Sequence, residues 1–345
     1  MAGKKARRGS RVVTHYATGG VVGTITQTLP HVTQSAAGAG GGGGSVTGTI
    51  TQTLPNVTQS GSGTASGGGS GAFRWGAYAT NEPDPDLSAH YALETTVQHP
   101  LPVMGWYDTW PNGFLTSMAA TARGGGYSLS YAWEAWGISF ASILAGTQDS
   151  YITTWLTAAK NSGATIGLRL FHEMNGNWYD WSVGSPTTQV TSTANWKSAW
   201  QRIAGIRNTV GANNVKMVFC VNANDVGAHT MEEYYPGDAY VDVLALDGYA
   251  WGPGTTFTSD YSDMYSRLRT IAPSKTDYRV NELGADSTAM TAAQHTAWWT
   301  SVFDAVEGSS FPLITEVNFF HQTPFLLDTV PGSLTVIRNR LNAYP

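Results

Sequence analysis

From Gly71 onward, short apolar segments alternate with stretches of helical periodicity, and no other feature of the chain constrains its fold as strongly. Strands are predicted near residues 73–79, 102–108, 127–136, 164–173, 215–222, 241–251, 277–285 and 313–321. Helices are predicted between them, for example at 151–163, 195–211, 262–272 and 291–308. Eight β/α units in about 275 residues have the number and size of a (β/α)8 TIM barrel, so this α/β fold is predicted.

The C-terminal ends of the strands carry the chemistry in such a barrel. This chain places polar and aromatic residues there: Asp108, Glu134, Glu173, Asn222, Asp247, Tyr249, Glu282 and His321. In the segment RLFHEMNGNWYDW at 169–181, Glu173 stands beside His172 where an apolar run meets a loop with two tryptophans. A carboxylate among apolar side chains is costly unless it has a task, and aromatic faces beside an acid hold sugar rings. The segment therefore indicates carbohydrate chemistry.

The composition agrees with a protein that binds a neutral polymer. The chain has 13 Trp and 16 Tyr among 345 residues, whereas only 12% of its residues are charged. A large aromatic core explains these numbers equally well, so each tryptophan has two interpretations. The single cysteine, Cys220, excludes an intrachain disulfide and lies in the apolar run VKMVFCV, which is typical of a buried strand.

Charge is distributed unevenly along the chain. Five basic residues lie in the opening MAGKKARRGSR, and no acidic residue occurs before position 70, which leaves 14 basic against 24 acidic residues in the remainder. Such a start is typical of a solvated tail, and no nucleic-acid partner is expected. The sequence has neither a recognisable signal peptide nor a run of about 18 apolar residues, so no membrane span is predicted.

Residues 1–70 are predicted to form an extended Gly/Thr-rich leader, distinct from the barrel domain at 71–345. VVGTITQTLPHVTQS at 21–35 recurs as VTGTITQTLPNVTQS at 46–60, and a Gly-rich stretch follows each copy. In each copy threonines alternate with larger residues, a strand pattern that ends at a proline. Two interpretations stay open: the copies are docking peptides on flexible tethers, or the leader is a disordered low-complexity segment.

Two glutamates occupy strand ends that face each other in a barrel. Glu173 ends the fourth predicted strand and Glu282 lies in the seventh, and these strand ends meet across the barrel mouth. Retaining glycoside hydrolysis needs two carboxyl groups about 5 to 5.5 Å apart, one protonated and one ionised. The sequence supplies both groups in suitable places.

Three segments resemble strand motifs of glycoside hydrolase family 26. They are RLFHEMNGNW, YYPGDAYVDVLALDGYAW and NELGAD, which look like the motifs of the fourth, sixth and seventh strands. The family consists of retaining TIM-barrel β-mannanases and related β-glucanases and β-xylanases, and the resemblance extends loosely from Trp75 to about His321. It implies that Glu173 is the general acid/base, that Glu282 is the nucleophile, and that no metal or organic cofactor is needed.

The same resemblance implies a set of supporting residues. His172 is similar to a histidine that forms hydrogen bonds in the active site, Tyr249 to the tyrosine that binds the nucleophile, and Arg169 to an arginine that supports the site. Trp178 resembles the aromatic residue that stacks near the cleavage point. Further tryptophans at strand ends and in loops are expected to line sugar subsites, chiefly Trp106, Trp133, Trp181 and Trp251.

Two features qualify this interpretation. Glu134, in AWEAW, is a rival carboxylate at a strand end, although a similar motif in the family supports the site without serving as nucleophile. The eighth strand ends in NFFHQ where the wider clan commonly has a tryptophan, so Phe320 or His321 is expected to substitute and mannan specificity stays open. The histidines show no spacing typical of a metal site, and none is predicted.

The repeated leader resembles Thr-rich, ITQTLP-type segments in structural proteins of phages that infect actinobacteria. The resemblance implies a virion protein, such as a minor tail protein, that is bound to other virion proteins through residues 1–70. We therefore expect a β-mannanase-like, retaining endo-β-glycosidase at the virion surface, tail or capsid-associated, that degrades a bacterial surface polysaccharide. The alternatives are a catalytically silent carbohydrate-binding virion protein and a free extracellular mannanase whose leader is only a linker.

Overall fold

The computed structural model describes residues 10–16, 22–28 and 73–344, which belong to two units, Met1–Gln59 and Ser60–Pro345. In the first unit, strand β1 (Ser10–Tyr16) pairs with β2 (Val22–Thr28) in antiparallel register. β2 lies in the first copy of the repeat, where alternation predicted a strand. The second copy, at 46–60, lies outside the described residues.

The second unit is a closed barrel of eight parallel strands, in which the last strand pairs with the first. The strands are β3 (Arg74–Ala79), β4 (Val103–Thr109), β5 (Ser128–Glu134), β6 (Ile166–Leu170), β7 (Val215–Asn222), β8 (Val243–Ala250), β9 (Tyr278–Ala285) and β10 (Ile314–His321). The predicted TIM barrel is confirmed. One difference affects the site: β6 ends at Leu170, so Glu173 lies in a turn beyond the strand.

Helices cover the outside of the barrel. They are α1 (Ser88–Val97), α2 (Thr116–Gly124), α3 (Phe140–Leu144), α4 (Asp149–Ser162), α5 (Thr193–Val210), α6 (Met231–Tyr234), α7 (Phe257–Ile271), α8 (Ala292–Glu307) and α9 (Pro331–Leu341). The longest begin at residues that cap free backbone N–H groups: Ser192, Thr256 and Thr291 each accept from the third residue beyond. In the part of the chain that the structure describes, no helix has both the length and the apolar character that a bilayer crossing requires.

The main core lies between the outer faces of the strands and the helices, and it is rich in tryptophan. Ten of the thirteen tryptophans are buried, and only Trp136, Trp178 and Trp251 are substantially exposed. Trp133 on β5, for example, stacks on Trp155 of α4 with ring centroids 4.1 Å apart. The aromatic excess therefore builds the core for the most part, which leaves three tryptophans free to meet a ligand.

Candidate active site

A β-bulge in β9 brings Glu282 to the barrel interior. Against β8 the register skips one residue of β9 between Val280 and Glu282. The skipped residue, Asn281, also faces the interior, where its amide nitrogen lies 3.7 Å from the sulfur of Cys220. Strict alternation would turn one of these two neighbours outward. The bulge thus allows both side chains to face inward at the end of the strand.

Three donors from three strands hold the carboxylate of Glu282. Nη1 of Arg169 on β6 donates to Oε1 at 2.5 Å, Tyr107 on β4 donates to the same oxygen, and Tyr249 on β8 donates to Oε2. Burial alone raises the pKa of Glu282, but the charge of Arg169 and the two tyrosine hydrogen bonds outweigh it, so the pKa falls below its ordinary value. Glu282 is therefore ionised near neutral pH.

Glu173 lies in an unusual turn after β6. Phe171 and Glu173 both have left-handed backbone conformations, with φ of 51° and 53°, which side chains other than glycine rarely adopt. This turn breaks the alternation of β6, so that Arg169 and His172, three residues apart, both lie close to Glu282. Trp178 donates from Nε1 to Oε2 of Glu173 at 2.8 Å.

The surroundings of Glu173 favour its neutral form. Burial is the main cause that raises the pKa of Glu173 to about 8, and the negative charge of Glu282 adds to the effect. The pKa values of Glu173 and Glu282 are thus shifted in opposite directions, because Arg169 lies against Glu282. At neutral pH one carboxyl group holds a proton and the other does not.

His172 is buried beside Glu282 and against the rings of Tyr179 and Trp181. Its Nε2 lies 3.0 Å from the hydroxyl of Tyr179 and 4.0 Å from Oε1 of Glu282. Burial, helped by the charge of Arg169, lowers the pKa of His172 to about 3, so the imidazole is neutral. His172 can therefore orient neighbouring groups by hydrogen bonding without adding positive charge to the site.

A cavity of about 550 Å³ opens beside Glu173. Its wall consists of residues from β7 and β8, from the loops after β6, β7 and β8 and from the first turn of α7: Glu173, Trp178, Asn222, Ala223, Asn224, Val226, Gly248, Tyr249, Trp251 and Asp260. Trp178 is 41% exposed and Trp251 is 64% exposed, so both offer ring faces to a ligand. This combination of aromatic faces with amide and carboxyl groups suits a sugar ring, which is apolar on its faces and polar at its edge.

The substrate-binding prediction is wrong for three of the tryptophans. Trp106 and Trp133 are completely buried on the outer faces of β4 and β5, where Trp106 packs against Tyr131. Trp181 is also completely buried, and it donates from Nε1 to the backbone carbonyl of His172 at 2.6 Å. Trp106 and Trp133 were placed in the site because they stand near strand ends, but position along a strand does not reveal the face.

Sequence analysis did not single out Tyr107 and Tyr179. Tyr107 stands between Trp106 and Asp108. Successive residues of β4 point to opposite faces of the sheet, so Tyr107 faces the barrel interior and its two neighbours face outward. The sequence feature that could have identified the inward face is Gly105, two residues before Tyr107. A Cβ on Gly105 would lie 2.9 Å from Cβ of Tyr78. Such a glycine marks the crowded side of a strand.

The other side of the cleft carries Glu134 and Phe320. Glu134, half-buried at the end of β5, accepts a hydrogen bond from Nε1 of Trp136 at 3.1 Å, and burial raises the pKa of Glu134. Phe320 stacks on Tyr78 at 5.0 Å and meets the ring of Tyr249 edge-on at 5.5 Å. Of the two substitutes expected at the eighth strand, Phe320 therefore lies at the barrel mouth among the aromatic rings.

Among the described residues, one group could offer three ligands to a metal ion: His172, Asp247 and Glu282, with ligand atoms within 4.8 Å of one another. Arg169 already lies in this group, 3.3 Å from Oδ2 of Asp247 and 2.5 Å from Glu282. Burial and the charge of Glu282 raise the pKa of Asp247 well above its ordinary value. Arg169 therefore compensates the charge of Glu282 within this group, and the raised pKa of Asp247 means that this second carboxyl group ionises less readily than an ordinary aspartate.

The chain is similar to known proteins in sequence and in fold. The model of glycosyl hydrolase family 26 matches residues 141–328, a range that includes both Glu173 and Glu282. Over 269 residues the chain is 29% identical to endoglucanase H of Acetivibrio thermocellus. This match covers 75% of this chain and 29% of that protein. It is 32% identical over 129 residues to a mannan endo-1,4-β-mannosidase of Bacillus subtilis, 37% of this chain and 34% of that protein. The chain thus spans about a third or less of the length of the curated relatives it matches.

A solved structure has the same fold. It is the catalytic domain of the endo-β-1,4-mannanase of Bacillus sp. JAMB-750, which superposes with a TM-score of 0.59 at 17% identity. The superposition covers 79% of this chain and 86% of that domain. At this level of identity the likeness concerns the barrel fold alone.

Proposed function

Because the chain belongs to glycosyl hydrolase family 26, we propose that it is a retaining endo-β-glycosidase with Glu173 as general acid/base and Glu282 as nucleophile. The observation that supports these roles most directly is the opposite ionisation of the two carboxyl groups on one cleft. The pKa of Glu173 is raised to about 8, whereas that of Glu282 lies below its ordinary value. Retaining hydrolysis needs one protonated and one ionised carboxyl group.

The first half of the proposed reaction uses both charge states. Glu282 attacks the anomeric carbon while Glu173 gives its proton to the glycosidic oxygen, so the sugar–oxygen bond breaks and a glycosyl ester of Glu282 forms. Arg169 and the two tyrosines keep Glu282 ionised and aligned before the attack. In the second half, the ionised Glu173 takes a proton from water, which attacks the ester and releases the sugar with its original configuration.

The cavity supports a neutral glycan as substrate. Among the described residues that line it, none is a lysine or arginine, whereas Glu173 and Asp260 are acidic. An anionic polymer would meet no compensating charge there. The relatives named above are an endoglucanase and a mannan endo-1,4-β-mannosidase, so β-1,4-mannans and β-glucans are the first candidates, followed by neutral polysaccharides of a bacterial surface.

The proposal is tested with a substrate panel and two isosteric variants. Purified protein is incubated with β-mannan, glucomannan, mixed-linkage β-glucan, xylan and actinobacterial envelope polysaccharides, and new reducing ends are measured. For the glycan that is cleaved, Glu173→Gln and Glu282→Gln should each lower kcat/KM at least about 100-fold, because each removes one partner in proton or glycosyl transfer. Glu307→Gln, at the end of α8 and away from the cleft, is the matched control and should keep wild-type turnover.

Three outcomes would contradict parts of the proposal. Binding of a glycan without release of reducing ends would favour the catalytically silent carbohydrate-binding protein. Wild-type turnover in both glutamine variants would remove the residue assignment. If NMR of the first product showed the anomer opposite to that of the substrate bond, the reaction would be inverting and the ester of Glu282 would not form.

We further propose that residues 1–70 attach this hydrolase to a phage virion, as a tail or capsid-associated protein. The support is the duplicated segment at 21–35 and 46–60, because two copies of one short motif on Gly-rich tethers can bind repeated sites of an assembly. Cleavage of a surface polysaccharide would then help the particle to reach the envelope. Virions purified on a gradient should carry the full chain and lack a chain without residues 1–70.

A further inference from the structure

Asn175, in the loop after β6, is completely buried. The nitrogen and the oxygen of its side-chain amide both form hydrogen bonds. Its amide donates to the carbonyl of Asn222 and to a carboxylate oxygen of Asp225, both at 2.9 Å, and its Oδ1 accepts from the N–H of Asn222 at 2.9 Å. Its backbone carbonyl accepts from the N–H groups of Val226 and Gly227 at 3.0 and 2.8 Å. A single residue after β6 therefore binds most of the loop after β7.

We call residues 173–176 and 222–227 the loop junction. Both of its segments line the cavity, one with Glu173 and the other with side chains such as Asn222 and Val226. The segments approach so closely that a Cβ on Gly227 would lie 2.3 Å from the carbonyl oxygen of Gly176. The loop junction thus sets the distance between the carboxyl group of Glu173 and the opposite wall.

Glu173 needs such support because its own backbone disfavours the observed position. Its φ of 53° and that of Phe171, 51°, are conformations that persist only when the surroundings enforce them. Three hydrogen bonds hold the residue: its N–H donates to the carbonyl of Cys220 at 2.9 Å, its carbonyl accepts from the N–H of Gly176 at 2.9 Å, and Trp178 donates to its carboxylate at 2.8 Å. Trp178 lies farther along the same loop, so it follows any movement of that loop.

We propose that Asn175 is a positioning residue that holds the carboxyl group of Glu173 at the cleavage point by tying its loop to the loop after β7. The inference rests on the proposed function, since it requires Glu173 to be the general acid. Asn175 touches no substrate in this arrangement, because it is completely buried. A general acid must lie within hydrogen-bond reach of the leaving oxygen, so a small displacement of Glu173 slows protonation more than it weakens binding.

The test compares two leaving groups on one sugar. Phenyl and 2,4-dinitrophenyl β-glycosides of mannobiose, and the same pair on cellobiose, share a glycone, but only the phenyl compound needs a proton from the acid. We expect Asn175→Ala to lower kcat/KM at least about tenfold more for the phenyl than for the dinitrophenyl glycoside. Gly227→Ala should produce the same selective loss, because it forces the loop junction apart from the other side.

Asn214→Ala is the matched control. The amide of Asn214 also joins two segments, by donating to the carbonyls of Ala159 and Ala164 at 3.0 and 2.8 Å, but it does so at the opposite end of the barrel. Its ratio of the two kcat/KM values should equal that of the wild type even if the variant is less stable. The inference is overturned if Asn175→Ala and Gly227→Ala lower kcat/KM by the same factor for the phenyl and the dinitrophenyl glycosides. It is also overturned if they leave both values unchanged.

A second measurement separates positioning from loss of folded protein. If the loop junction opens, Glu173 becomes more solvated, its pKa falls toward that of an ordinary glutamate, and the alkaline limb of kcat/KM should move down by about one pH unit. An unchanged alkaline limb in both variants would count against the inference. If the wild type cleaves no glycan and neither aryl glycoside, it is the proposed function that fails, and the positioning role falls with it.

Discussion

At the scale of single residues, the two glutamates of the candidate site differ in what surrounds their carboxyl groups. Glu282 is buried against a cation and two phenolic hydroxyls, whereas Glu173 is buried with one indole N–H as its donor. In both cases burial disfavours the ionised form, so the neighbouring charge decides the sign of the shift. The same residue type therefore has a raised pKa in the turn after β6 and a lowered pKa on β9.

This difference predicts the pH dependence of the proposed reaction. A group whose pKa is raised stays protonated until the pH passes that value, so kcat/KM should fall as the pH rises through about 8, where Glu173 loses its proton. On the acidic side, activity should persist below the ordinary range of a glutamate, because the pKa of Glu282 is lowered. Rates measured from pH 3 to 10 on a soluble glycan check both limbs.

The glutamine variant identifies the group behind the alkaline limb. In Glu173→Gln, hydrolysis of a dinitrophenyl glycoside needs no proton from the protein, so kcat/KM should become flat between about pH 6 and 9. A persistent alkaline limb in this variant would assign that titration to another group. Tyr107 and Tyr249 are poor candidates, since burial raises the pKa of both well above their ordinary values.

At the scale of elements, each barrel strand has two buried faces with different duties. The outward face packs on helices, as Trp133 does on Trp155, and the inward face carries polar groups toward the mouth, as Arg169 does. In a sheet that is covered on both sides, apolar residues occur on either face. The sequence of such a strand therefore shows no alternation of apolar and polar residues that would identify the inward face. The position of a tryptophan at a strand end therefore cannot show whether it meets a ligand.

Two tryptophan substitutions measure this difference. Trp133→Ala removes a completely buried ring and should destabilise the barrel by about 3 to 5 kcal/mol, which chemical denaturation monitored by fluorescence would record. Trp251→Ala removes a ring that is 64% exposed, and its effect on stability should stay within about 0.5 kcal/mol. The KM for polysaccharide should rise in Trp251→Ala only. Equal losses of stability would contradict the assignment of these two faces.

At the scale of the whole molecule, the barrel unit is closed by the pairing of its first strand, β3, with its last strand, β10. The chain enters β3 at Phe73, whose ring stacks on that of Tyr344 at 5.6 Å, so the two ends of the barrel unit pack together. Arg74 at the start of β3 binds Glu316 of β10 at 2.5 Å, which ties the first strand to the last. This end of the strands lies opposite the cleft, because the cleft is at their C-terminal ends.

Deletion of residues 1–70 should therefore separate catalysis from attachment. The remaining chain should unfold at the wild-type temperature and keep its kcat/KM on a soluble glycan, since the described residues that line the cavity or bind the two glutamates all lie between Tyr107 and Glu282. Calorimetry and reducing-end assays provide the two measurements. A loss of folding would place part of the barrel's stability in the leader and would contradict the boundary at residue 70.

The sequence by itself determined the order of strands and helices, the barrel class and the two glutamates of the fourth and seventh β/α units. Local periodicity and a short motif are enough for these features, because they depend on neighbours along the chain. Only the tertiary structure decided that a bulge turns Glu282 inward and that Tyr107, 175 residues away, donates to it. Trp106 and Trp133 were mistaken for ligand contacts for the same reason. In a strand that is buried on both faces, the closure of the sheet decides which face points to the barrel axis. The local sequence pattern does not predict this face.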